Sequence, residues 1–597
     1  MHFGLPYIEK LKNLLWKSRK QLTDRQFLFL LSIVVGLLSA SAAIFLKSFV
    51  FYLHRYLHSF NLPDYQTYLM VLLPSAGILL TVTIIRLFWK DEFNKGIGTV
   101  LKSIHNGRGH LPFSQTYNHI ITSGITVGFG GSAGLESPIV STGAAIGANF
   151  ADFNNLRFKE RTLLLACGIA AGVSAAFNAP IAGVLFAAEV FLIEISISAI
   201  IPIILASATG ALLSKIILKE SILLHFQMQE PFNSNNLPFY IVLGLLTGFI
   251  SLWFSRTFNR INEWFSTFSN PFKAAVAGSL MLGALLLVFP SFYGEGYEYI
   301  KDLASFHTYK LFEGSVLGNF MERRTWLFIA AIFLTALLKV LATSFTLGAG
   351  GNGGQFAPSL FIGANAGFAF AMACHKIGFI HVSISNFTIV AMAGVLSGVF
   401  YAPMTGIFLI AELTGGYDLM IPLMLVSALS YSIVRRFQPI SMEFQRLKTF
   451  AKWKTSKEDS LILSKLEVNR MIDTDYDILD MDMNLGDFVK ILETSRHNSF
   501  PVVDKSGKFK GIVAFRKVKE MTFKPELYDK VFISQILEPA KETIQVSEPF
   551  ASIFDKFEKT FAYRLPVLNG ENYLGFITKG TILSQYRSEI ISHTGKD

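Results

Sequence analysis

Cysteine is almost absent from this chain. Cys167 and Cys374 are the two present, both inside apolar stretches, so neither a disulfide framework nor a Cys-x-x-Cys metal site can be built, and both read as packing residues. Charge is scarce too: 16% of the 597 residues are Asp, Glu, Lys or Arg, against 51% hydrophobic. That balance excludes one soluble domain and points to the membrane class. The start Met1-His2-Phe3-Gly4 lacks a signal-peptide cleavage pattern. No nucleic-acid-binding module accounts for the net charge of +10, which is better explained by membrane topology and contact with anionic lipid.

What the chain does have is long charge-free runs. Phe27 to Leu46 is twenty residues without a charge, enough to cross about 30 Å of hydrocarbon as a helix. Similar runs follow at Tyr68 to Ile85, Ile195 to Ser214, Phe239 to Ser255, Ala275 to Phe289 and Trp326 to Leu338, which predicts a polytopic protein. Lys10, Lys12, Lys17, Arg19, Lys20 and Arg25 precede the first run and place the N-terminus in the cytoplasm. Near residue 440 the composition changes, and charges then recur every few positions. The expected organisation is a cytoplasmic segment 1–25, a transmembrane domain 26–444, a linker 445–468 and a cytoplasmic soluble pair of modules 469–597.

Both parts contain a repeat. Phe177-Asn178-Ala179-Pro180, Gly183 and Ala188-Glu189 recur 223 positions later as Phe400-Tyr401-Ala402-Pro403, Gly406 and Ala411-Glu412. Upstream, Gly134-Leu135-Glu136-Ser137-Pro138 is matched 220 positions later by Gly354-Gln355-Phe356-Ala357-Pro358. Paired Gly/Pro interruptions in two halves mark discontinuous helices whose N-termini face a substrate near the bilayer midplane. Kinked spans with small residues at helix contacts are the plainer alternative. In the tail, Ser499 to Val503 with Gly511-Ile512-Val513 recurs as Arg564 to Leu568 with Gly575-Phe576-Ile577. Amphipathic stretches at Leu485 to Leu492 and Pro549 to Phe557 precede the two copies in turn, predicting two small α/β modules.

The glycine-rich segments carry the chemistry. A helix N-terminus offers unpaired N–H groups and a partial positive charge, attracting an anion without a full cation to trap it. Gly130 to Pro138 and Gly350 to Pro358 each present such a start. Glu136 sits in the first, and an ionisable residue inside a span defaults to a functional reading. Its carboxylate can occupy an anion position and leave when protonated, although a plain capping role is the rival reading.

Gly96-Ile97-Gly98, Gly134 to Pro138, Ala176-Phe177-Asn178-Ala179-Pro180 and Gly354 to Pro358, in this order, resemble the CLC family of chloride channels and proton/chloride exchangers. The tail resembles a cystathionine-β-synthase-type (CBS) domain pair. The resemblance implies an all-α polytopic membrane protein, an inverted repeat of tilted and broken helices, followed by an α/β CBS pair. It also implies a homodimer with one pore per subunit in the plasma (inner) membrane, both termini cytoplasmic, chloride or another small anion as transported ligand and no cofactor or metal. Glu136 then corresponds to the gating glutamate, and the anion sites fall on Gly134, Leu135, Glu136, Ser137, Gly354, Gln355, Phe356 and Ala357.

Departures from the family pattern narrow this expectation. The family's first motif is usually Gly-Ser-Gly-Ile-Pro, and Ile97 here replaces the serine, while Ser441 aligns with the pore tyrosine. Anion binding would then rest mainly on backbone amides, each missing hydrogen bond to a charged group being worth about 1.5–3 kcal/mol. Val190 follows Glu189 where exchangers usually carry an internal proton-relay glutamate, which favours a passive, voltage- or pH-gated anion channel. The alternative is a proton/chloride antiporter, with Glu194 as a substitute acid. Glu189 and Glu412 read as structural. In the CBS pair, Lys517 and Thr581 stand where nucleotide-binding members place an aspartate, which argues against nucleotide sensing. The letters Gly348-x-Gly350-x-x-Gly353 lack a βαβ setting, and Ser132 has no nucleophile elbow or matching histidine, so no enzyme activity is expected. A divalent-cation carrier with CBS modules would want several intramembrane carboxylates.

Overall fold

The structure, a computed structural model, describes residues 22–59, 66–89, 96–105, 109–191, 197–218, 231–304, 326–443, 445, 468–548, 550–560, 562–582 and 584–585. The chain divides into two compact units, Met1–Leu447 and Lys448–Asp597. Of the expected linker 445–468, Gln445 and Val468 alone are among the described residues, and Glu194 lies outside them.

The first unit is helical. Its first half holds α1 (Asp24–His58), α2 (Gln66–Phe88), α3 (Gly98–His105), α4 (Asn118–Gly128), α5 (Glu136–Phe153), α6 (Phe158–Phe177), α7 (Pro180–Phe191) and α8 (Ile197–Leu218). The second holds α9 (Leu237–Ser266), α10 (Pro271–Val288), α11 (Tyr297–Ala304), α12 (Trp326–Gly348), α13 (Phe356–Ile377), α14 (Ile384–Phe400), α15 (Pro403–Thr414) and α16 (Met420–Phe437). Local sequence sets several starts. Thr23 accepts from the Gln26 N–H while the Gln26 side chain accepts from Thr23 N, a capping box before the first charge-free run. Proline opens α7, α10 and α15, where its missing N–H costs nothing. Among the described residues nine helices are long and apolar enough to cross a membrane.

Small residues let these helices approach closely. A Cβ on Gly143 in α5 would stand 2.3 Å from the Gly168 carbonyl oxygen in α6, and one on Gly168 would stand 2.0 Å from that of Gly143. The contact repeats in the second half, where a Cβ on Gly363 of α13 would meet the Met392 backbone of α14 at 2.6 Å. Without a hydrophobic drive between helices in lipid, such backbone approach is the main source of association.

The second unit builds two sheets of one design. Strand β1 (Leu479–Asp480) pairs parallel with β2 (Ser499–Val503), which pairs antiparallel with β3 (Phe509–Ala514); β4 (Ile544–Gln545), β5 (Arg564–Asn569) and β6 (Asn572–Thr578) repeat the order. The helices Leu485–Thr494 and Phe550–Thr560 fall on the two amphipathic stretches. Ile512 and Glu538 exchange backbone hydrogen bonds of 2.8 and 2.9 Å, as do Asp473 and Phe576. Each sheet is thereby closed by a segment that leads into the other module. The two expected classes, all-α membrane unit and α/β pair, are the ones observed.

Candidate functional site

The two glycine-rich segments meet each other. Gly134 N–H donates to the Gly354 carbonyl at 2.8 Å and Gly354 N–H returns to the Gly134 carbonyl at 2.7 Å. Their supports are exchanged in the same way: Ser132 N–H donates to Thr346 Oγ1 (3.1 Å) and Asn352 N–H to Thr126 Oγ1 (3.0 Å). The matching residues Gly134 and Gly354, Ser132 and Asn352, and Thr126 and Thr346 are each offset by 220 positions, so the sequence repeat is a repeat in space. From this junction α5 starts at Glu136 and α13 at Phe356, and neither N-cap residue, Leu135 or Gln355, caps its helix with a side chain. First-turn N–H groups of two helices therefore converge on one place, the arrangement that holds anions.

Glu136 folds back over that place. It is 5% exposed, its Oε1 accepts from the Tyr297 hydroxyl at 2.6 Å, and the backbone amides of Glu136 and Ala357 face the carboxylate. A Cβ on Gly134 would stand 2.1 Å from Glu136 Oε2 and 3.1 Å from Ala357 N, so glycine there leaves the space that the carboxylate fills. The same space would take an anion of similar size once the side chain withdrew. Ser137 and Gly354 pack equally closely, a Cβ on Gly354 reaching Ser137 Oγ at 2.6 Å.

Phe356, the counterpart of Glu136, goes another way. Its ring lies 5.2 Å from that of Phe177, 5.4 Å from Phe400 and 6.0 Å from Phe186, an apolar cluster made by the repeated Phe177 and Phe400 positions. Ile97 is buried, and its neighbour Gly96 is tied to α5 by Ser141 Oγ donating to the Gly96 carbonyl at 3.3 Å. The segment carrying Ser441 is held by the Tyr401 hydroxyl, which donates to the Gln438 carbonyl at 2.6 Å. Glu443, two residues beyond Ser441, lies beside Gly98, so these two segments adjoin.

Val190 is buried in α7. Glu189 beside it accepts from Met404 N (3.0 Å), Thr405 N and Thr405 Oγ1 (both 2.7 Å), while Glu412 accepts from Ile181 N (3.0 Å) and Ala182 N (2.9 Å). Each carboxylate thus caps the start of the other half's short helix, the structural role expected of both.

A charged cluster escaped the reading of the sequence. Glu295, in the linker between the spans Pro271–Val288 and Trp326–Gly348, accepts the Leu135 N–H on Oε1 at 3.3 Å. Its loop is anchored by Gly294 N–H donating to the Gly130 carbonyl at 3.0 Å. Burial pushes the Glu295 carboxyl up to about 8 and the nearby Glu136 adds to this, while Lys47, the Leu135 N–H and Lys339 pull the other way. Lys339 is wholly buried, donating to the Phe292 carbonyl at 3.2 Å with its Nζ 4.7 Å from the Phe361 ring centroid. The sequence signals were faint: a lone lysine just past the Trp326 to Leu338 run, and a glutamate between two glycines. Among the described residues no group of His, Cys, Asp and Glu could hold a metal ion.

Comparison with known proteins bears on this geometry. The family model described as Voltage gated chloride channel matches residues 76–435, and that of the CBS domain matches residues 468–521. A ClcB-like protein of Ralstonia nicotianae, provisionally named a chloride channel, is 28% identical over 368 residues, covering 60% of this chain and 81% of that protein. The H(+)/Cl(-) exchange transporter ClcA of Yersinia pestis is 30% identical over 321 residues, covering 52% of this chain and 63%, less than two thirds, of the transporter. A crystal structure named as that of a slow cyanobacterial Cl-/H+ antiporter superposes with a TM-score of 0.60 at 21% identity, over 72% of this chain and 98% of that one, which speaks to the fold.

Proposed function

The chain belongs to the voltage gated chloride channel family, and from that premise we propose that it exchanges small anions for protons across the membrane, with Glu136 as the gate. One observation carries the reading: the Glu136 carboxylate fills the space over Gly134, facing the amides where α5 and α13 start. Protonation removes the attraction of that carboxylate for the helix starts and frees the place for an anion, so one residue can link the two ions. The names of the exchange transporters and the antiporter favour coupled exchange over the passive channel expected from Val190. That expectation rested on one missing carboxyl, and another acid, Glu443, lies beside Gly98.

Several finer assignments accompany this reading. Gly134, Leu135, Glu136, Ser137, Gly354, Gln355, Phe356 and Ala357 form the anion site through their backbone, with Ile97 and Ser441 on its approach and chloride as the first candidate ion. The protein works as a homodimer in the plasma membrane with both termini cytoplasmic. In support, α7 and α15 are twelve residues each, about 18 Å long and too short to span alone. They share an exposed apolar face with α8 and α16, including Ile181, Ile201, Ile204, Met404, Ile421 and Met424. The CBS pair stabilises or gates this assembly without a nucleotide: Lys517 pairs with Glu538, and Thr581 N–H is satisfied by Thr578 Oγ1.

Liposomes holding the full chain test the central reading. Under an outward chloride gradient, protons should move inward against their own gradient. Glu136→Gln should reduce that proton movement to the level of empty vesicles while anion flux persists. A purely Nernstian anion potential, blind to a pH gradient, would refute coupling and restore the channel reading.

A further inference from the structure

We propose that Glu295 is a second gating acid: its carboxylate holds the Leu135 amide in place of an anion, and by exchanging a proton with Glu136 it ties release of that amide to pH. The inference rests on the gating role given above to Glu136.

Three features of the geometry lead here. The Leu135 N–H belongs to the donor set at the α5 start, and it is already taken by a side chain from 160 residues away. Second, the carboxyl groups of Glu295 and Glu136 are close enough to act on each other electrostatically, and two carboxylates sharing one poorly solvated place cannot both ionise freely. They therefore titrate as a coupled pair, not as two independent acids. Third, Glu295 stands on a loop and is less buried than Glu136, so it is the member of the pair nearer to water.

The surroundings set the balance. Lys47 on α1 acts on both carboxyl groups and donates to the Ala176 carbonyl. Lys339 comes from α12, Tyr297 from α11 donates to Glu136, and in the Glu295 loop Tyr293 lies 5.5 Å from the His54 ring of α1. Two ammonium groups thus face two carboxyl groups. The proton step is a transfer within the pair: the O–H bond on Glu295 breaks, an O–H bond forms on the Glu136 carboxylate, and the negative charge moves to Glu295 beside Lys339. Glu295 then takes its next proton from water.

Chloride flux from liposomes, measured on the full chain between pH 4.5 and 9, tests this with two variants. Glu295→Gln keeps an oxygen for the Leu135 N–H but cannot ionise. With its neighbour's charge gone, Glu136 holds a proton less readily, so the pH of half-maximal flux should fall by about one unit, a tenfold change in proton concentration. Glu295→Ala frees the amide, and flux at pH 8 should rise several-fold towards its acid value. Both variants retaining the parent midpoint would overturn the proposal, and lower heat stability with an unmoved midpoint would reduce Glu295 to a packing residue. If the parent moves chloride without protons, coupled exchange fails while the midpoint shift still decides Glu295. Should the parent pass no chloride, calorimetric chloride binding over the same pH range must show the same shift or the proposal falls.

Discussion

The two halves of the membrane unit share a backbone and differ in their charges. Gly134 and Gly354 exchange hydrogen bonds as equals, and Thr126 and Thr346 support them as equals. At the next repeated position the first half carries Glu136, held by Tyr297, and the second carries Phe356, held by Phe177, Phe186 and Phe400. A further repeated position holds His119, hydrogen-bonded to Asn352 at 3.3 Å, against the wholly buried Lys339. The symmetric part brings two helix starts to one place. The asymmetric part gives that place a side lined by a carboxylate and a side walled by aromatic rings. A symmetric site would have no reason to treat its two approaches differently.

Removing the asymmetry should therefore cost the most. Phe356→Glu would put a carboxylate among three phenyl rings, exchanging packed apolar surface for an unpaired buried charge. We expect a loss of at least about 3 kcal/mol, read as failure to purify as a folded protein or a sharp fall in melting temperature. Phe356→Leu, keeping the apolar wall, should fold. A stable Phe356→Glu protein would mean that the ring cluster is wet, and the contrast drawn between the halves would be lost. The helix caps give the opposite test, because there the halves are alike. Glu189→Gln and Glu412→Gln each remove a charge from the start of the other half's helix and should each cost about 1–2 kcal/mol. Thermal denaturation of the two variants checks this. If Glu189→Gln instead abolished proton movement while leaving stability intact, Glu189 would be part of the proton route.

Much of this was legible in the residues. Where its residues are described, each of the six charge-free runs falls on a helix apart from the terminal Phe289, because a long apolar run has few alternatives in a bilayer. The broken segments and their 220-residue offset marked the two helix starts, while the direct Gly134–Gly354 pairing emerges from the structure alone. Three spans fall outside those runs, α6, α13 and α16. The first two are rich in alanine and glycine and are mostly buried within the protein, so their sequences answer to neighbouring helices more than to lipid. Glu295 and Tyr297 were invisible for a different reason. They reach Glu136 across 160 residues of chain, and nothing in local periodicity reports which loop the tertiary fold will bring to a helix start. Lys339 ended a charge-free run and was passed over as its boundary, although a charge that far inside a span is itself a signal.

The smallest expected effect lies where the site depends on its backbone alone. Ile97 stands where the family resemblance implies a serine, and it is buried in the segment tied to α5 through Ser141. Ile97→Ser supplies a donor there at the loss of some packed surface. A net hydrogen bond to a bound anion should tighten chloride binding about tenfold, or about 1.4 kcal/mol, as measured by calorimetry on the purified full chain. Selectivity for chloride over nitrate should rise with it, because a directed hydroxyl discriminates between ions where a ring of amides accepts several. An unchanged affinity would place Ile97 off the anion's path. The converged starts of α5 and α13 would then account for binding without help from the first glycine motif.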